Sequence, residues 1–441
     1  MPEIGVGTQM VALFFLLLAL RLPVAFALGL SAIWAMWRLG FGLDLAGDLI
    51  AAGIAKFALL AIPFFILAGN LMGSVGIAAR MIRFFRILVG GLPGGMGVVG
   101  TVVCLFWGAV SGSGPASVAA IGPLIVKGMA QDGYARAFAA GLVCTGAALS
   151  IVIPPSIGLV VYGVIAETSI ADLFIAAIVP GLVCGLLMLL ALPFAHIYRE
   201  PVAGGPGLAA LIDDDDDDLP YGQRLYRAFK DGFWGLLTPI VILGGIYSGI
   251  FTPTEAAIVA TVYALAIGAF VHRTLTFASF YETLWESAAS SAVVMLVVTY
   301  AGLFGWVVTV DDLVGRYSAG LLGLSDEPWI ILAVVLVVIL VAGMFMDAIT
   351  IMFIALPIFL PVAHQLGWDP VWFGVTVMIA LAIGLFTPPV GINLFVAAFV
   401  TRLPLHAIAA GALPFLVTSL IGLAVVAAFP WLSLFLVDAL K

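Results

Sequence analysis

The chain has 441 residues, of which 64% are hydrophobic and only 9% are charged. A soluble domain of this size needs far more charge to cover its surface, so these values exclude the ordinary soluble classes. The long apolar stretches must be helices, because lipid cannot satisfy the hydrogen bonds of an exposed backbone. The alternating pattern of a membrane barrel is absent, and the sequence therefore predicts an all-α polytopic membrane protein.

In chain order, the apolar stretches of each half predict three crossings, a pair that returns to the same side, and two further crossings. In the first half the stretches are residues 8–20, 22–37 and 57–72, the returning pair 88–127, and then 137–165 and 173–195. In the second half they are 236–250, 254–271 and 287–309, the returning pair 329–363, and then 371–400 and 405–437. We therefore expect about ten crossings plus two re-entrant helical hairpins.

The two halves also compare well with each other at a fixed offset of 234 residues. The shift pairs mainly prolines and glycines: Pro123 with Pro357, Gln131 with Gln365, Gly133 with Gly367, Pro154-Pro155 with Pro388-Pro389, and Pro180 with Pro414. We predict two repeats, residues 1–196 and 232–441. A polar cytoplasmic linker, residues 197–231, joins them.

The linker carries an acidic run from Asp213 to Asp218, which makes the net charge of −8 partly a local property. Such a run is typical of a solvated loop, and a partner-docking or cation-binding role is the alternative. The three cysteines lie in apolar segments without the spacing of a metal site or a disulfide framework: Cys104, Cys144 and Cys184. They are expected to be small packing residues.

Basic residues indicate how the repeats are oriented, because they favour cytoplasmic loops. Five basic residues mark loops of the first repeat, and none of their partners at the offset is basic: Arg80, Arg83, Arg86, Lys127 and Arg136. This difference predicts that the repeats have inverted topologies. With the N-terminus outside, twelve basic residues fall inside and four fall outside. Inverted repeats are typical of transporters whose binding site lies at mid-membrane.

Two places in each repeat break helix geometry inside an apolar stretch. They are residues 111–117 and 153–158 in the first repeat, and 345–351 and 386–393 in the second. Consecutive prolines free upstream carbonyl oxygens, which at membrane depth survive only against protein or a wet cavity. We expect the four breaks to converge on a small polar site. The alternative for each break is a packing kink whose hydroxyls bond to the preceding turn.

The residue types at the breaks suit transport of an anion with sodium. Sodium favours carbonyl and hydroxyl oxygens, and the N-termini of half-helices suit a carboxylate. Asp347 is an acid at membrane depth, which is usually functional, although capping of a helix is the alternative. Glu255 follows a Thr-Pro start and is expected to stabilise a helix N-terminus. Enzyme motifs are absent, and an intramembrane enzyme using Ser113 has no evident partner base.

Six motifs in order carry a family resemblance. They are IPFFILAG (62–69), GLPGG (91–95), SGS (111–113), IPPS (153–156), GIFTPTEAA (249–257) and TPPVGIN (387–393). With them the chain resembles the large permease (M) subunit of the tripartite ATP-independent periplasmic (TRAP) transporters. The acidic linker is a departure from the family's pattern.

The resemblance implies sodium-coupled uptake of organic acids, such as dicarboxylates, keto acids or sialic acid, by an elevator mechanism. The expected location is the cytoplasmic (inner) membrane of a bacterium or archaeon. The implied partners are a small four-helix membrane subunit and a periplasmic substrate-binding protein, within a lipid bilayer. Na⁺ would be the coupling ion, and neither an organic cofactor nor a nucleic acid partner is expected. The alternative function is a stand-alone ion-coupled carboxylate transporter of the same architecture.

The resemblance also implies site residues by position. Those expected to bind substrate are Ser113, Ser117, Ser156, Asp347, Thr350 and Asn393. Those expected to bind sodium are Ser111, Gly112, Ser113, Pro154, Thr387, Pro388 and Gly391.

Overall fold

The computed structural model describes residues 5–198, 219–323 and 325–440, and its regular elements in these ranges are all helices. The predicted all-α class is therefore confirmed. The acidic run from Asp213 to Asp218 lies outside the described residues.

The first half contains two short helices that the apolar pattern did not predict, α3 and α5. Its helices are α1 (Val6–Ala19), α2 (Val24–Arg38), α3 (Leu43–Ile54), α4 (Ala61–Ser74), α5 (Ile77–Val89), α6 (Gly95–Ser111), α7 (Gly114–Gln131), α8 (Arg136–Ala148), α9 (Ile157–Ile165) and α10 (Ile170–Leu189). Helix α5 is amphipathic: Ile77, Met81 and Phe85 are buried, whereas Arg80 and Arg83 lie on its other face. Its arginines interrupt the apolar residues, so the segment does not form a continuous apolar stretch and was not predicted as a helix.

The second half contains the remaining helices of the described chain. They are α11 (Tyr221–Tyr247), α12 (Pro253–Ala266), α13 (Phe277–Val310), α14 (Leu313–Leu322), α15 (Pro328–Gly343), α16 (Ala348–Gln365), α17 (Pro370–Gly384), α18 (Ile392–Thr401), α19 (Leu405–Ala428) and α20 (Trp431–Leu440). Helix α11 begins at Tyr221, ahead of the predicted stretch 236–250. The prediction of one stretch over 405–437 was wrong, because this segment forms two helices, α19 and α20. Pro430 separates them, because the residue before a proline is driven out of helical geometry.

The helix bounds recur at the offset seen in the sequence. Helix α7 runs from Gly114 to Gln131, and α16 runs from Ala348 to Gln365, a shift of 234 at both ends. The packing recurs as well, because α4 contacts α12 as α13 contacts α2, and α7 contacts α18 as α16 contacts α9. The two halves therefore have the same arrangement of helices, and helices of one half pack against helices of the other. The boundaries 1–196, 197–231 and 232–441 stay a prediction.

Seven helical segments of the described chain are long and apolar enough to cross a membrane. They are Phe57–Ser74, Ile170–Ile197, Tyr221–Tyr247, Pro253–Val271, Phe277–Val310, Ala348–Gln365 and Leu405–Ala428. Several shorter apolar helices accompany them. They include α6 and α8 in the first half, and the corresponding helices α15 and α17 in the second half. The chain is therefore a multi-pass membrane protein, and the count of about ten crossings stays a prediction.

Two short helices, α8 and α17, form the centre of the bundle. Every residue from Phe138 to Ala148 in α8 is buried, and so is every residue from Val371 to Gly384 in α17. A helix that is apolar on all sides belongs inside a bundle. The hairpin α6–α7 packs on α8, and the hairpin α15–α16 packs on α17. Both hairpin turns are thus held against a rigid centre.

Candidate functional site

A cavity of about 370 Å³ lies where the four predicted breaks meet. Its wall includes residues from both hairpin turns, from both proline breaks, and from helices α4 and α13: Ile66, Asn70, Ser111, Gly112, Ser113, Gly114, Pro115, Ala116, Ile151, Ile157, Gly158, Ser290, Val293, Val294, Val297, Asp347, Ala348, Ile349, Leu385 and Ile392. The expected convergence is present in the structure. Most of the wall is apolar, and its polar side chains are those of Asn70, Ser111, Ser113, Ser290 and Asp347.

Four helices begin at this cavity. Helix α7 starts at Gly114, α9 at Ile157, α16 at Ala348 and α18 at Ile392, and each of these first residues lines the wall. A helix N-terminus presents amide N–H groups without intrahelical partners and the positive end of the helix dipole. The described wall contains no basic side chain. Any affinity of the cavity for an anion therefore comes from backbone amides, from neutral side-chain donors such as Asn70 and Ser113, or from a bound cation.

Asp347 is the one charged side chain among the described residues of the wall. Its Oδ1 accepts a hydrogen bond from the Thr350 backbone N–H at 3.0 Å, and its Oδ2 accepts one from the Thr350 hydroxyl. Asp347 is thus the N-cap of α16, which is the alternative raised from the sequence, and it also faces the cavity. Thr350 is fully buried behind it and does not line the wall.

The first hairpin turn is built by Gly112, which has a φ of +62° and ends α6 in the left-handed region. A Cβ atom at this position would lie 3.2 Å from the Pro155 carbonyl oxygen, so the turn packs closely on the first proline break. Ser111, Gly112 and Ser113 all line the cavity. Ser117 lies one turn into α7, is buried, and has a hydroxyl without a hydrogen-bond partner among the described residues.

The hydroxyls at the two proline breaks make local hydrogen bonds. Ser156 caps α9, since its Oγ accepts from the Leu159 N–H at 3.3 Å and donates to the Ile151 carbonyl. The Thr387 hydroxyl donates to the Ile383 carbonyl at 2.6 Å. These bonds agree with the alternative that each proline break is a packing kink whose hydroxyl bonds to the neighbouring backbone. Neither hydroxyl lines the cavity, and neither do the expected sodium residues Pro154 and Pro388.

The chain wraps tightly around Gly391, which has a φ of +61°. A Cβ atom on Gly391 would lie 3.1 Å from the Thr387 carbonyl oxygen and 3.2 Å from that of Leu385. The Gly391 N–H donates to the Met344 carbonyl at 2.9 Å, which ties the second proline break to the end of α15. Two carbonyl oxygens therefore lie close to this glycine, and that of Leu385 also accepts from the Asn393 N–H at 2.9 Å.

Asn393 joins three helices behind the same wall. It is fully buried, its Nδ2 donates to the Cys144 carbonyl at 2.9 Å, and the Cys144 thiol donates to the Asn393 carbonyl at 3.4 Å. Its Oδ1 has no hydrogen-bond partner among the described residues. A Cβ atom on Gly114 would lie 3.1 Å from this oxygen, so the amide abuts the start of α7.

No sequence motif indicated Asn70 on α4 or Ser290 on α13, which bring two further helices to the cavity. A signal for the first was available. The sequence contains two asparagines, Asn70 and Asn393, and both lie at this site. Glu255, in contrast, lies elsewhere: it forms a capping box with Thr252 at the start of α12, so its predicted structural role is confirmed.

A second cavity, of about 670 Å³, adjoins the first and shares Asn70, Ser111, Ala116 and Ser290 with it. We call this second cavity the vestibule. Its other wall residues are Gly69, Gly73, Ser74, Trp107, Ala119, Ala120, Thr283, Trp285, Glu286 and Ala289. It is bounded by the end of α4 and the start of α13.

The vestibule lies toward the basic side of the protein. The Arg80 guanidinium donates to the Val75 carbonyl at 3.0 Å, directly after α4, and Arg273 precedes α13. The positive-inside preference predicts that this is the cytoplasmic side.

Comparisons with known proteins agree on one family. The family model described as "Tripartite ATP-independent periplasmic transporter, DctM component" matches residues 11–432. The chain is 39% identical over 379 residues to the C4-dicarboxylate TRAP transporter large permease protein DctM of Pseudomonas aeruginosa, covering 86% of each. It is 37% identical over 423 residues to the sialic acid TRAP transporter large permease protein SiaM of Vibrio cholerae, covering 95% of this chain and 96% of that protein.

Two further similarities concern length and fold. The chain is 38% identical over 425 residues to the isethionate TRAP transporter permease protein DctMQ of Oleidesulfovibrio alaskensis, covering 96% of this chain and 65% of that protein. A crystal structure of the YdaH transporter of Alcanivorax borkumensis superposes with a TM-score of 0.63 at 15% identity, covering 97% of this chain and 98% of that one. At this identity the likeness concerns the fold alone. From the family match and these relatives, the chain belongs to the DctM family, the large permeases of the TRAP transporters.

Proposed function

We propose that the chain is the permease subunit of a sodium-coupled secondary transporter that takes up organic acids delivered by a periplasmic binding protein. The observation that carries the proposal is the composition of the cavity wall: four helix N-termini surround one carboxylate, Asp347. The substrate class follows the relatives, whose names specify C4-dicarboxylate, sialic acid and isethionate.

The four N-termini support an anionic substrate. Helix starts bind carboxylates and phosphates because their amide N–H groups point at the ligand along the dipole. The apolar part of the wall, such as Ile66 and Val294, suits the carbon skeleton of a small organic acid. An acid bound here would exchange its hydrating water molecules for hydrogen bonds from the backbone amides at the helix N-termini.

Asp347 supports coupling to a cation. An acid that enters this cavity meets a carboxylate, and two like charges at close range in a poorly solvated site repel each other strongly. A co-bound cation removes that repulsion, so acid and cation favour each other's binding. Sodium prefers oxygen ligands, and the carbonyls of Leu385 and Thr387 beside Gly391 and of Pro155 beside Gly112 supply candidates.

The neighbouring vestibule supports alternating access. The cavity adjoins a vestibule on the basic, cytoplasmic side, as expected for an inward-facing state. One wall is formed by α4 and α13, and the other by the hairpin α6–α7. In an elevator mechanism the hairpins and proline breaks move with the substrate, and α4 and α13 belong to the stationary scaffold. The inner membrane and the small four-helix subunit are part of the proposal.

The test is uptake into liposomes that contain this chain and its small membrane subunit, with the binding protein outside. Succinate, N-acetylneuraminate and isethionate are the three probes. Uptake that requires both an inward sodium gradient and the binding protein supports the proposal. Uptake that is indifferent to the binding protein indicates the stand-alone carrier, and strict dependence on a proton gradient contradicts sodium coupling.

A further inference from the structure

We propose that the vestibule is an inhibitory binding site for the transported acid on the cytoplasmic side, with Trp107 and Asn70 as its hydrogen-bond donors. This inference rests on the proposed function and adds a second site to it. The acid bound in the vestibule would tie the scaffold helix α4 to the mobile hairpin α6–α7. It would thereby slow the return of the empty carrier to the outward-facing state.

The first observation is a buried donor without an acceptor. Trp107 is 1% exposed and lines the vestibule, and its Nε1 has no hydrogen-bond partner among the described residues. An indole N–H can only donate, and a buried donor without a partner is destabilising because its desolvation is not compensated. A group that brings an acceptor to this position, such as a carboxylate oxygen, removes that cost.

The second observation is that the indole lies at the boundary between α6 and α4. A Cβ atom on Gly73 of α4 would be 3.9 Å from Cζ2 of Trp107, an atom two bonds from Nε1. A ligand that accepts from this N–H therefore sits against the scaffold helix. Binding here bridges the two parts that must separate when the carrier changes state.

The third observation is the aligned amide of Asn70, which also lines the vestibule. Its Nδ2 donates to the Ser287 Oγ at 2.9 Å, and the Ser287 hydroxyl in turn donates to the Thr283 carbonyl at 2.6 Å. Because the serine proton is already used, the asparagine must be the donor in the first bond. The chain of bonds fixes the orientation of the amide on the α4 side of the vestibule.

Comparison of the two repeats indicates that Trp107 and Asn70 serve a function rather than the fold. At the offset of 234 residues, Trp107 corresponds to Val341, which is 45% exposed, and Asn70 corresponds to Phe304, which is buried. Groups that the shared fold requires would recur in both repeats. These donors occur only in the first repeat, on the cytoplasmic side of the cavity.

Glu286 lowers the affinity of the vestibule for an acid. It is exposed and belongs to the vestibule wall on α13, whereas Trp107 is buried. The carboxylate repels an acid near the mouth, and the neutral donors attract it deeper inside. A site of this kind fills only when the acid has accumulated in the cytoplasm, which is the condition under which uptake should slow.

The experiment measures how internal acid slows uptake. Liposomes with the permease and its small subunit are loaded with increasing concentrations of whichever probe acid the wild-type assembly takes up: succinate, N-acetylneuraminate or isethionate. The binding protein is added outside only, so that correctly oriented molecules are assayed. Each variant is normalised to its own uptake into acid-free liposomes. The variants are Trp107→Phe, Asn70→Ala, and the matched control Trp37→Phe on an exposed face of α2.

We expect Trp107→Phe to raise the internal concentration for half-inhibition about tenfold, as loss of one hydrogen bond to a charged group predicts. Asn70→Ala should act in the same direction and replaces Trp107→Phe if that variant does not fold, whereas Trp37→Phe should match the wild type. Half-inhibition at an unchanged concentration in the vestibule variants overturns the inference, as does wild-type uptake that internal acid does not slow. Absence of wild-type uptake for all three acids contradicts the proposed function itself.

Discussion

Replacement of Asp347 by asparagine separates the capping role that this carboxylate has in the structure from the cation-binding role that we propose for it. As the N-cap of α16, Asp347 accepts from the Thr350 N–H at 3.0 Å and from the Thr350 hydroxyl. Asparagine is about as good an N-cap as aspartate, because its Oδ1 can accept the same backbone bond. The Asp347→Asn protein should therefore lose less than about 0.5 kcal/mol of stability, whereas Asp347→Ala should lose about 1 kcal/mol.

The charge, in contrast, disappears completely in Asp347→Asn. A carboxylate and a cation about 4 Å apart attract each other by about 4 kcal/mol at an effective dielectric constant of about 20. If desolvation offsets two thirds of this, about 1.4 kcal/mol remains, which is a tenfold change in affinity. We expect the sodium concentration for half-maximal uptake to rise at least tenfold in this variant.

The assay compares the sodium dependence of uptake and the melting temperature in detergent for Asp347→Asn, Asp347→Ala and the wild type. Glu255→Gln is the matched control, because it removes one negative charge from another helix start that lies outside the cavity wall. Sodium activation in Asp347→Asn that equals that of Glu255→Gln and the wild type would refute the reasoning. A melting temperature of Asp347→Asn as low as that of Asp347→Ala would show that asparagine does not cap α16 as well as aspartate does.

Three further predictions concern packing, capping and the buried amide. Gly411→Ala should lower stability by about 1–3 kcal/mol, since its Cβ would lie 2.3 Å from the Ala137 carbonyl oxygen, and Gly244→Ala, which meets open space, should not; melting curves compare them. Thr252→Ala should cost about 1 kcal/mol by removing the cap of α12, measured the same way, with the sodium dependence of uptake unchanged. Asn393→Ala should lower the melting temperature and weaken sodium activation together, so a stable variant with normal activation would remove Asn393 from the site.

The sequence predicted the large-scale plan because the relevant signals are local. Proline and glycine mark where helices stop, and apolar length marks where they cross, so both hairpins and both proline breaks could be placed. The offset of 234 residues reappears in the bounds of α7 and α16. Helices α3 and α5 were missed because short amphipathic helices lack a long apolar stretch.

The site was only partly predictable, because a hydroxyl near a break can either face a cavity or bond to its own backbone. Ser156 and Thr387 make such local bonds and Ser113 lines the wall, whereas Ser111 does both, because it lines the wall and its hydroxyl donates to the Ser113 carbonyl at 3.4 Å. Spacing alone does not distinguish the two outcomes, since helix caps and ligand sites use the same residue types. Asn70 joins the cavity through the packing of α4, so its rarity in the composition could indicate it but no local pattern could.

We propose that a cation must accompany an organic acid into the cavity formed by four helix starts and Asp347. The most direct test is uptake of the three probe acids by the reconstituted assembly with and without an inward sodium gradient, at constant pH and with the binding protein outside. We predict uptake of at least one acid that ceases when the sodium gradient is removed. Equal uptake of that acid with and without the gradient would contradict sodium coupling.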